Sequence, residues 1–151
     1  MSAFAAFLHH LCFVTIMLML FGEMLLLKEP LTLASARRIQ RYDMVYGIAA
    51  GLVIVVGVLR VMYFEKGPEY YLHSAPFIAK MALFLAAGLL SIYPTVVFLK
   101  WNTSLKQGIV PVLAEAERRR LRLALHVEAT LLVLVILCAA MMAKGIGYFG
   151  G

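Results

Sequence analysis

The chain has 151 residues, 64% of them hydrophobic and 15% charged, with a mean hydropathy of +0.92. Water-soluble domains average roughly half apolar and a quarter charged, so disorder, a collagen-like fibre, a disulfide scaffold and an ordinary cytosolic enzyme are excluded. The formal charge of +6 would suit a nucleic-acid partner until the charges are located; they flank apolar runs, which points to membrane topology instead.

Four apolar stretches each reach the roughly 20 residues that a helix needs to cross a bilayer. They run from about Phe4 to Leu27, Val45 to Tyr63, Ala75 to Leu99 and Leu123 to Ala143. None alternates strictly in polarity, which argues for helices and against outer-membrane strands. The expectation is an all-α, integral membrane four-helix bundle, a single domain over residues 1–151. The opening MSAFAAFLHH has no Lys or Arg before its apolar run and so lacks a signal-peptide n-region.

Between spans one and two lie Lys28, Arg37, Arg38 and Arg41; between spans three and four lie Lys100, Lys106, Arg118, Arg119, Arg120 and Arg122. The opposite side holds only Arg60, Lys66 and Lys144. Positive-inside bias therefore puts both arginine-rich segments in the cytoplasm and both termini outside. The stretch from Ala114 continues the fourth helix into the cytoplasm. Cys12 and Cys138 sit in apolar runs and read as packing residues.

Ionisable groups inside a span are costly and face a bundle interior or a cavity. Orientation sorts them into two layers. His9, His10, Arg60, His73 and Lys80 fall in the outer half, whereas Glu23, Tyr93, His126 and Glu128 fall in the inner half. His9 and Glu23 are fourteen positions apart and share a face at about 100° per residue, whereas the adjacent His10 points elsewhere. On span four, His126 and Thr130 share a face from which Glu128 departs. Gly47 and Gly51 form a G-x-x-x-G that suits close helix packing. Ser74 reads as an N-cap with Pro76 in the first turn, which places His73 just outside the helix.

No His pair stands at i, i+4, so a metal-only site is disfavoured. A haem needs less: axial ligands, an apolar slot and cations for its propionates. The outer layer offers His9, His10 and His73 as ligand candidates, with His9 and His73 as the iron pair and Arg60 and Lys80 as propionate partners. His126 with Glu23 reads as a hydrogen-bonded polar pair, a second haem position or a proton relay.

The first span, FLHHLCFVTIMLMLFGEMLLLKE, resembles a family of small bacterial predicted membrane proteins of unknown function. More remotely it is similar to HemJ-type protoporphyrinogen IX oxidases and CopD-like membrane domains. The likeness rests on Leu8-His9 opening a long apolar helix, on the spaced glycines Gly47 to Gly57, and on Lys80 in APFIAKMALF. Where the HemJ-type motif has a histidine two positions before that lysine, this chain has Ile78. The resemblance implies a bundle that binds haem b, with His9 at the haem site, in a bacterial inner (cytoplasmic) membrane.

Three readings follow. The first is a membrane haem b redox protein that exchanges electrons with a quinone or a porphyrin, of which HemJ-like porphyrinogen oxidation is the enzymatic version. The second is a proton- or ion-conducting protein without haem, with Glu23, Lys80 and His126 along a path; four spans are few for this, and it requires a homo-oligomer. The third, a subunit without chemistry, leaves Lys80 and His9 inside the membrane unexplained.

Overall fold

The computed structural model describes residues 2–150 and is all α-helical apart from one isolated bridge between Ser74 and Tyr148. The elements are α1 (Ser2–Leu26), α2 (Leu33–Leu59) continued by a π-turn (Arg60–Phe64), α3 (Pro68–Leu72), α4 (Ala75–Lys100), α5 (Asn102–Lys106) and α6 (Glu115–Ala143). Four helices, α1, α2 with its π-turn, α4 with α5, and α6, are long and apolar enough to cross a membrane. This is a multi-pass membrane bundle.

The helices form a ring in the order α1–α2–α4–α6. Helix α1 packs along α2, and α4 along α6, whereas α2 meets α4 and α1 meets α6 over shorter stretches. The seam of α1 is Cys12, Ile16, Leu20 and Glu23, all buried. Their three- to four-residue spacing keeps them on one helix face. The opposite face, with Phe7, Leu11, Val14, Leu18, Phe21 and Leu25, is exposed. A chain that turns large apolar side chains outward along every long helix has lipid as its solvent.

Helix α2 starts twelve residues before the Val45 expected from hydropathy, at Leu33. Thr32 caps it: its Oγ1 accepts the Ser35 N–H at 3.0 Å, and Ser35 Oγ accepts the Thr32 N–H at 2.8 Å. The added turns carry Arg37, Arg38 and Arg41. Several polar side chains of this end close the carbonyl ends of other helices. Arg118 Nη1 donates to the Leu27 carbonyl at 2.6 Å, and Arg37 Nη2 to that of Leu105 at 3.3 Å. Gln40 Nε2 donates to the Phe98 carbonyl at 2.6 Å. Part of the arginine cluster thus has a structural task beyond marking topology.

Gly22 lets α1 and α2 approach, because a Cβ there would stand 2.6 Å from Tyr42 Cε2. Gly22→Val should destabilise the bundle by about 1–3 kcal/mol through overpacking, read as a lower midpoint for unfolding in a denaturing detergent. Gly47 and Gly51 do no such work. Both are exposed, and a Cβ at either would meet nothing within 4 Å, so the expected role of this pair in packing within the chain is not realised.

At the terminal end, the segment after α6 folds back over the start of α4. Ala75 N–H donates to the Gly147 carbonyl at 3.0 Å, and Phe149 N–H to the His73 carbonyl at 2.9 Å. Tyr148 stacks on Tyr70 with ring centroids 4.6 Å apart. Ser74 is the N-cap residue of α4, but its side chain makes no capping bond.

Candidate functional site

Two polar centres occupy the interior, one toward the terminal end and one toward the arginine-rich end. The terminal-end centre is a cavity between α2 and α4, backed by α1. Its apolar part is lined by Phe13, Val53, Gly57, Phe77, Met81 and Phe84 and, with its open side, encloses about 720 Å³. His9 and Lys80 belong both to this part and to a polar mouth that adds His10, Arg60, Glu65 and Tyr71. The cavity lies between α2 and α4, which meet each other less extensively than α1 meets α2 or α4 meets α6.

His9 is placed by the seam of α1. Gly57 of α2 makes room for its ring, since a Cβ there would lie 3.3 Å from His9 Cε1. The imidazole also faces the Val53 backbone, while its buried Nδ1 has no hydrogen-bond partner among the described residues. In the tautomer that leaves the lone pair on Nδ1, this atom is ligand-competent.

Lys80 has no carboxylate partner among the described residues; its Nζ stands over Phe77, 5.3 Å from the ring centre. Arg60 differs from the sequence expectation. Its Nη2 pairs with Glu65 Oε1 at 2.6 Å, although its buried Nε stays unpartnered. The π-turn, a feature often found at functional sites, begins at Arg60. Tyr71 approaches Glu65 Oε2 at 3.5 Å, and partial burial with the Glu65 charge raises its phenol above the ordinary value.

The remaining histidines are dispersed. His10 is exposed at the mouth, with Nδ1 engaged to the Ala6 carbonyl at 2.6 Å. His73 lines neither part of the cavity. Its Nδ1 meets the Glu69 carbonyl at 2.8 Å and its ring lies against Phe149. The expected iron pair of His9 and His73 is not brought together, because the C-terminal segment engages His73 outside the bundle.

His126 is also exposed, with Nδ1 on the Arg122 carbonyl at 2.6 Å. The buried face of α6 is Leu121, Leu125, Glu128, Leu132 and Val135. The expected pairing of Glu23 with His126 is therefore replaced by Glu23 with Glu128, beside Tyr46 and Asp43. Asp43 accepts a hydrogen bond from Thr95 Oγ1 at 2.9 Å. Sequence reasoning missed Asp43 by starting span two at Val45; the Thr32–Ser35 capping signal could have revealed the earlier start. Among the described residues no group of three or more His, Cys, Asp or Glu is arranged to hold a metal ion.

Between the two centres the interior is apolar, built of Ile16, Leu20, Ala49, Val53, Ala87 and Leu132, all buried. No curated protein and no solved structure matches the chain. A family description matches residues 1–147, nearly the whole length, and the chain thus belongs to the predicted membrane protein family DUF2214.

Proposed function

We propose that the protein binds haem b in the terminal-end cavity and acts in electron transfer with a lipophilic partner, a quinone or a porphyrin. Porphyrinogen oxidation is the enzymatic form of this reading. The observation that carries it is His9, which lines a largely apolar cavity and whose buried Nδ1 has no hydrogen-bond partner among the described residues. The donor set suits the group: one imidazole for the iron, apolar walls for the macrocycle, and Lys80 near the mouth for a propionate. Haem b supplies one-electron chemistry when bound. The chain's own part is to fix the His9 ring between α1 and Gly57, to exclude water with Phe13, Phe77 and Phe84, and to hold an anionic edge with Lys80.

The alternative, a continuous proton or ion path past Glu23, Lys80 and His126, has less support. The apolar layer stands between Lys80 and Glu23, and His126 faces outward. Positive-inside bias remains the warrant for placing the arginine-rich end in the cytoplasm.

Protein purified from haem-replete cells should show b-type bands in a reduced-minus-oxidised spectrum; colourless protein from such cells overturns the reading. Gly57→Leu offers a second check. Its side chain would displace the His9 ring and lower haem content by about 5- to 150-fold, the equivalent of an overpacking cost of about 1–3 kcal/mol. Parent-like haem content in that variant would remove His9 from the site.

A further inference from the structure

At the arginine-rich end, Glu23 on α1 is 2% exposed and Glu128 on α6 is 1% exposed. Each has an Oε1 with no hydrogen-bond partner among the described residues. Around them, α2 presents Asp43 and Tyr46, with the Tyr46 hydroxyl beside Glu128, and α4 presents Thr95, bonded to Asp43. No Lys, Arg or His pairs with these carboxyls; the ion pair among the described residues is Arg60 with Glu65, at the other end.

An ionised carboxylate buried without a cation carries a penalty of several kcal/mol, and a second one beside it adds repulsion. A neutral carboxyl relieves both costs, and its O–H can donate to an oxygen that otherwise has no partner. Protonation of at least one of two neighbouring carboxyls removes the repulsion without any external ion. The absence of a suitably arranged cluster of three ligands among the described residues favours a proton over a divalent metal.

There is also an entrance. A groove of about 1200 Å³, including its open side, lies at this end between α2 and α4. Its lining includes Arg37, Gln40, Arg41, Asp43, Thr95 and Asn102. Asp43 thus belongs both to the groove and to the surroundings of Glu23 and Glu128. Toward the terminal end, the apolar layer closes the carboxyl pair off from His9 and Lys80.

We propose that Glu23 and Glu128 form a proton-binding site that exchanges protons with the arginine-rich side of the membrane through Asp43. A hydronium ion in the groove gives its excess proton to Asp43 and is left as water, and Asp43 passes the proton toward Tyr46 and the Glu23–Glu128 pair; uptake takes the pair from one negative charge to none. Release reverses the route. The site needs no haem and is independent of the terminal-end reading.

Infrared spectroscopy of the purified full-length protein in lipid tests this. A protonated-carboxyl stretch should be present at neutral pH and should shift in D₂O. Glu23→Gln and Glu128→Gln, which preserve volume, should each diminish it. Asp43→Asn should keep the band but slow its deuterium exchange by about 10²-fold, the lower range of a positioned acid–base group. A parent protein with no such band at neutral pH overturns the proposal without requiring any variant. So does a band that survives in the Glu23→Gln, Glu128→Gln double variant, or an exchange rate indifferent to Asp43→Asn. None of these readouts depends on haem content, so failure here and failure of the haem reading are separable.

Discussion

His9→Ala is expected to lower haem occupancy by more than about 100-fold, because even partners one shell removed from a metal are worth 10- to 100-fold. His9 is the histidine that lines the apolar part of the cavity, and its buried Nδ1 lacks a partner among the described residues. His10→Ala should leave occupancy near that of the parent, since the His10 ring is exposed and its Nδ1 already meets the Ala6 carbonyl. The comparison is informative because the two residues are adjacent in sequence and diverge by about 100° on the helix. Haem per protein, measured as the alkaline pyridine complex, checks both variants. Equal loss in both, or loss only in His10→Ala, would show that the ligand lies on the other face.

Lys80→Met should leave the bundle at least as stable as the parent while weakening anionic-ligand binding by about 10- to 150-fold. That range corresponds to the loss of one charge-assisted hydrogen bond, about 1.5–3 kcal/mol. Lys80 is half-buried and has no carboxylate partner among the described residues, so an unbranched apolar side chain removes a desolvation cost rather than an ion pair. Arg60→Met should do less to binding, because Glu65 already occupies that guanidinium at 2.6 Å. Haem titration and detergent unfolding of the same preparations separate the two effects. If Lys80→Met binds haem as the parent does, Lys80 has no part in holding a propionate.

The spans and the shared face of His9 and Glu23 were legible in the sequence because bilayer thickness and helical pitch constrain them directly. Cys12, Ile16 and Leu20 complete that face as the phase requires. The start of α2 was hidden because Arg37, Arg38 and Arg41 make its first turns resemble a loop to any measure of hydropathy, and Asp43 was lost with them. The choice between His126 and Glu128 was hidden for a different reason. Helix α6 is apolar on both faces, with Leu121 and Leu132 buried but Leu123 and Leu137 exposed, so no amphipathic stripe tells the inside from the outside. His73 lies beyond α4, as Ser74 and Pro76 predict, with its Nδ1 on the Glu69 carbonyl four residues back, but its engagement by Phe149 depends on the returning C-terminal segment. Such a tertiary contact has no signature in local spacing.

The dry layer of Ile16, Leu20, Ala49, Val53, Ala87 and Leu132 also has an electrical consequence. A transmembrane voltage drops mainly across the part of a protein that water and ions do not enter, so this layer concentrates the field between the two polar centres. A charge crossing the whole membrane gains about 2.3 kcal/mol per 100 mV. A proton reaching Glu128 from the groove stops short of the layer and should sense only a small fraction of that drop. An electron moving between the terminal-end cavity and the opposite face would cross nearly all of it. Voltage would then tilt redox equilibria across the bundle while leaving proton occupancy at the carboxyl pair almost unchanged.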